Sequence, residues 1–196
     1  MSETYPLNLD VTSPAEIARW RPLVNWLLVI PPAILLWVLT IGLEVLAVLS
    51  WFVILFTGNL PEPWADYMVR VLRYQWRVSA YLYGWTEEYP GFVFPPGSAD
   101  PGGYPAVLSG VPALSDRNKL TVLLRIIWII PAYFVVYLVG IAAGVVLLLA
   151  WFIVLFTGKW PEGMRQFCVG YFRWNARVLA YGVLLTDEYP PFRLDP

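Results

Sequence analysis

Guanidinium groups are the recurrent polar chemistry of this chain. Arg70, Arg73 and Arg77 follow at intervals of three and four, and Arg173 and Arg177 repeat two of them one hundred residues later. Side chains at that spacing share one face of a helix. Planar, permanently charged forks in a row suit carboxylate or phosphate oxygens. Two readings stay open at this level. The arginines could meet anionic lipid headgroups or the acidic surface of a partner subunit, together with Trp64, Trp76 and Trp174 of the same segments. They could instead pair with Glu87, Glu88, Asp187 and Glu188, or extend to water along an apolar surface. Gln75 and Asn175 fall opposite the arginine stripe, where amides are expected to make polar contacts between helices.

Other reactive chemistry is sparse. There is no histidine, which removes imidazole bases, His-based zinc sites and the common nucleophile–histidine pairs. Cys168 is the single cysteine, and its apolar neighbours make it a small hydrophobe rather than a nucleophile. Glu44 is the one acid inside a long apolar run, and the equivalent position of the second half is Gly144. It reads as a cation or proton site, or as a residue near the far interface of a helical turn. No phosphate-binding glycine loop and no metal-ligand spacing is present. We expect no enzyme activity, no cofactor and no metal. With a net charge of −1, nucleic acid is not an expected partner.

The elements that must hold these residues come in two copies. "WFVILFTGNLPE" at 51–62 returns as "WFIVLFTGKWPE" at 151–162, and residues 51–92 match 151–192 at 19 of 42 positions. The first repeat spans 1–95 and the second 104–196, joined by a proline- and glycine-rich linker at 96–103. The chain is 59% hydrophobic and 14% charged. A soluble domain carries about 25% charge, so the composition predicts a membrane protein. The polar opening "MSETYPLNLDVTSPAEIARW" predicts no cleavable signal peptide.

Each repeat holds an apolar run, about 23–57 and about 120–157. One helix of that length would far exceed a hydrocarbon core of about 30 Å, and basic residues flank each run on both sides. A transmembrane hairpin, turning near Leu39–Glu44 and Leu138–Gly144, keeps all those charges on one side. It predicts four spans, both termini cytoplasmic, and Pro31 and Pro131 kinking the first arms. The next segments, about 62–85 and 162–185, carry a thin arginine line on an otherwise apolar circumference. They read as amphipathic interfacial helices, reached through a corner at Gly58 or Gly158. "YPLNLDV" and "YPAVLSGV" read as short extended arms packed under those helices. The fold expected is thus an all-α membrane protein, a tandem repeat of hairpin, interfacial helix and short arms.

The pattern WFxxLFTGxxPE, then Rxx(Y/W)xxRVxAY, then T(D/E)EYPxF resembles the bacterial membrane-protein family of domain of unknown function 4389, frequent in actinobacteria. The resemblance covers nearly the whole chain, twice. It implies a bacterial cell membrane location and brings no catalytic residues. The function expected is a non-enzymatic accessory or scaffold protein that docks on a larger membrane complex or on copies of itself. Lipid handling is the alternative, through the bilayer and its anionic lipids. A small transporter is disfavoured by nearly charge-free spans and the unequal Glu44/Gly144 pair.

Overall fold

The computed structural model describes residues 5–12, 14, 16–97 and 99–194. Residues 1–4 of the polar opening, Ser98 of the linker and the final two residues of the second repeat lie outside the described residues. In chain order the elements are β1 (Leu7–Val11), α1 (Arg21–Leu28), α2 (Ile30–Thr57), α3 (Glu62–Leu82), β2 (Ala106–Gly110), α4 (Lys119–Leu123), α5 (Arg125–Thr157) and α6 (Glu162–Gly182).

The expected hairpins are absent. α2 runs unbroken through Leu39–Glu44 and α5 through Leu138–Gly144. A glycine inside a helix costs about 1 kcal/mol relative to alanine, which does not end a helix whose neighbours all favour it. The glycines answer a packing need instead. A Cβ at Gly42 would overlap the Tyr67 hydroxyl, and one at Gly140 would lie 2.7 Å from that of Tyr171. Tyr67 donates to the Leu39 carbonyl at 2.9 Å. The helical interruptions fall earlier, at Val29 and Leu124. Pro31 stands in the first turn of α2, where its missing N–H costs nothing, while Pro131 lies inside α5.

The corners form as read. Gly58 (φ 77°) and Gly158 (φ 73°) end α2 and α5 in the left-handed region, donating to Ile54 O and Val154 O at 2.7 Å. Proline then glutamate opens α3 and α6.

The two repeats interlock. β1 and β2 pair antiparallel with Leu9 opposite Leu108, and Leu7 and Val11 opposite Gly110 and Ala106. Leu9 and Leu108 are equivalent residues of the two copies, so a local two-fold axis passes between them, perpendicular to the ladder. Each strand packs on the helix of the other repeat: β1 on α6, β2 on α3. The same exchange recurs at the corners. Ile17 N–H donates to Gly158 O at 2.9 Å and Arg117 N–H to Gly58 O at 3.1 Å. Trp51 Nε1 donates to Val122 O at 2.9 Å, and Trp151 Nε1 to Pro22 O at 2.8 Å.

Three layers result: the sheet, then α3 and α6, then α2 and α5 with α1 and α4. β1 follows α6 lengthwise, since Tyr5 reaches Arg177 and Leu9 reaches Arg173. α6 in turn lies antiparallel along α5, with Gly182 beside Ile129 and Tyr171 beside Gly140. The long helices therefore run parallel to the sheet plane and, by the two-fold, in opposite directions. α3 and α6 are not surface helices. Met68, Leu72, Trp76 and Tyr81 of α3, and Cys168, Trp174 and Tyr181 of α6, are all buried. The expected interfacial helices turn their arginines to headgroups and water, but here the linker and the strand of the other repeat cover most of that line.

Candidate functional site

The arginine stripe is the fastening between repeats. On α3, the Arg73 Nε–Asp100 Oδ2 separation is 3.2 Å and Arg77 Nη2 lies 3.1 Å from Asp100 Oδ1, all three side chains being buried. Asp100 also accepts the Gly102 and Leu108 amides at 2.9 and 3.2 Å, which pins the linker and β2 over α3. Arg70 stacks on Phe94, 4.0 Å from the ring centre. On α6, Arg173 Nε donates to Leu9 O at 2.9 Å and its Nη2 pairs with Asp10 at 3.2 Å. Arg177 Nη2 donates to Asn8 Oδ1 at 3.1 Å. The bond to Leu9 O satisfies a carbonyl on the outer edge of β1. Tyr5 and Tyr104 repeat the lock: their hydroxyls donate to Glu188 O at 3.0 Å and Glu88 O at 2.8 Å. Burial first, then the Glu188 or Glu88 carboxylate, raises both phenols above their ordinary value, so both remain donors.

These placements correct the headgroup reading of the stripe. Arg73, Arg77 and Arg177 are 2%, 7% and 1% exposed and face the chain's own strands and linker. Arg73 and Arg77 meet Asp100, and Arg177 meets Asn8, in place of the expected Glu87–Glu88 and Asp187–Glu188 pairs. Trp76 and Trp174 are buried, edge-on to Phe172 at 5.8 Å and Phe192 at 5.7 Å, so neither presents a contact surface. Arg70, Arg173 and Trp64 remain partly exposed. Gln75 and Asn175 are half-buried, Asn175 one turn after Tyr171 on its own helix. Burial pushes the Cys168 thiol up to about 11, which suits a small core residue.

A third node carries no counterpart among the expected site residues. Asp187 receives Arg117 in a two-pronged pair, at 2.9 and 2.7 Å, while Arg125 Nη2 meets the same carboxylate. Arg117 Nη1 also donates to Leu184 O at 2.7 Å, and Arg125 Nη1 to Thr186 O at 2.7 Å and Tyr181 O at 2.9 Å. The Arg125 guanidinium lies over Tyr181, 3.8 Å from its centre. In the first repeat Ile17 and Asn25 stand in place of these arginines. Burial alone would raise the Asp187 carboxyl, but the Arg117 pair, the Asn118 amide and Arg125 outweigh it and hold it below its ordinary value. The available sequence signal was the acidic "TDEYP" facing two arginines absent from the first copy.

Opposite the sheet, α2 and α5 expose matching apolar stripes. Ile34, Trp37, Ile41, Val45, Val48, Phe52 and Phe56 face outward on α2. Phe134, Tyr137, Ile141, Val145, Leu148, Phe152 and Phe156 do so on α5. Both helices are long and apolar enough to cross a membrane. Glu44 is exposed near the midpoint of α2.

Among known families, Domain of unknown function (DUF4389) matches residues 19–93 and 119–193. The chain belongs to this family, in two tandem copies. No curated protein and no solved structure matches it. In this DUF4389 pair, the family segment begins just after each strand, so β1 and β2 lie outside the matched residues although they hold the copies together.

Proposed function

We propose that this protein is a non-enzymatic membrane module of the bacterial plasma membrane, an accessory or scaffold unit anchored by its α2–α5 layer. The carrying observation is the pair of equivalent apolar stripes on one face, with the exposed polar Asp10 and Ser109 on the sheet at the opposite face. Contiguous apolar surface of this extent calls for a bilayer or an apolar partner. The layer geometry favours flat insertion into one leaflet over crossing. α2 and α5 are parallel to the sheet, so turning them upright would carry the polar sheet edge-on through hydrocarbon. At about 42 Å, α2 also exceeds a hydrocarbon core of about 30 Å. Upright, Glu44 would sit near the bilayer centre, at a cost of about 3 kcal/mol. Lying flat, it reaches the interface from the flank of the helix. Flat insertion also keeps both termini on one side, the cytoplasmic one in this proposal.

Spin labels at positions 34, 41, 48 and 56 in proteoliposomes test the insertion mode. Similar shallow depths at all four support it; a profile passing through the bilayer centre and rising again sinks it. Docking is tested by affinity purification in mild detergent. A co-purifying membrane protein or a homo-oligomer supports the scaffold role, and a lone monomer under every mild condition removes it.

A further inference from the structure

Besides Glu44 and Gly144, the two repeats diverge at a groove on the apolar face. Between the C-terminal half of α2 and the start of α5 lies an open groove of about 310 Å³, walled by Ala47, Trp51, Phe52, Arg125, Ile126 and Gly182. In the equivalent place of the other half only about 50 Å³ remains. Three differences account for it. Leu147 stands where α2 has Ala47, Leu82 where α6 has Gly182, and neutral Asn25 where α5 has Arg125. The filled side shows what close packing of this fold looks like; the open side departs from it with two small residues and one charge.

The groove has an apolar mouth and a cationic end. Phe52 and Ile126 are 49% and 69% exposed on the face that meets the bilayer. Arg125 is 3% exposed, and its Nε–H has no hydrogen-bond partner among the described residues. Behind it, Arg117 and Arg125 share the single Asp187 carboxylate. A buried guanidinium with a spare donor favours an anionic acceptor, while the remaining walls favour hydrocarbon.

We propose that this groove is a lipid site, holding one acyl chain of an anionic phospholipid with its headgroup oxygens toward Arg125. The site rests on the membrane reading above, but its test does not. Purified full-length protein in neutral detergent is titrated with phosphatidylglycerol, phosphatidylcholine of the same chains, and palmitate, and bound lipid is counted by native mass spectrometry. One phosphatidylglycerol binds, preferred about five- to tenfold over phosphatidylcholine. Ala47→Leu, which copies the wall of the filled half, abolishes the adduct. Arg125→Asn, which copies the other repeat's residue, brings the preference close to one. A diazirine in the acyl chain crosslinks the unaltered protein at 47–52 and 125–126, which keeps the test sound if a variant does not fold. Equal binding of the two phospholipids, an adduct that survives in folded Ala47→Leu, crosslinks elsewhere, or binding of palmitate alone would each overturn the proposal. Depth measurements can fail while this binding persists, and the reverse, so the two readings fall separately.

Discussion

Asp187 shows how much a single carboxylate holds in place. It pairs with two buried guanidiniums and accepts the Asn118 amide at 3.0 Å. Removing one partner of such a cluster leaves an uncompensated buried charge, at about 3–5 kcal/mol. Asp187→Asn is therefore expected to lower stability by that order in chemical unfolding, whereas Glu87→Gln, at a more exposed position with an Arg21 contact at 3.8 Å, costs under about 1 kcal/mol. The pH dependence follows from the direction of its shift. A carboxyl held lower in the folded state than in the unfolded chain contributes stability above its ordinary pKa of about 3.9 and loses it as pH falls further. Thermal unfolding midpoints should hold steady down to about pH 5 and drop below about pH 4. A less steep drop is expected in Asp187→Asn; an identical acid limb would assign the loss to other carboxylates. At this scale the sequence named the residue types correctly, but Arg73 and Arg177 look the same in sequence whether they face lipid or an aspartate or asparagine many residues distant.

Among the elements, α2 and α5 are where expectation and structure separate. Length and flanking charge argued for a fold-back, and glycines stood near the required turn. The helices continue because no proline or run of polar turn residues interrupts them there, and because Gly42 and Gly140 admit Tyr67 and Tyr171. This contact is testable as a pair. Gly42→Ala should destabilise by about 1–3 kcal/mol through overpacking, although alanine is the better helix former. In a Tyr67→Phe background, which removes the hydroxyl but leaves ring carbons at 3.0 and 3.2 Å from the new methyl, the same change should cost clearly less. An equal cost in both backgrounds would sever the glycine from the tyrosine. The corners were easier to read from sequence, since Thr-Gly and Pro-Glu act within a few residues of themselves.

As a whole molecule, the chain behaves as a two-fold dimer written in one polypeptide, each half closing the other. β1 covers α6, β2 covers α3, and Trp51 and Trp151 each bond the other repeat's opening helix. Residues 1–95 and 104–196 expressed separately should each fail to give protease-resistant protein, while co-expression restores a stable complex; an independently folded half would refute the interlock. The sequence by itself determined the duplication, the helical character of its main segments, the corner glycines and the apolar character of α2 and α5, because these depend on composition and on neighbours within a turn or two. Tertiary structure alone decided that the arginines face inward, that strands exchange between copies, and that the long helices lie side-on to the sheet. Those outcomes depend on which distant segment covers a face, and a helical period is the same whether water, lipid or another strand lies against it.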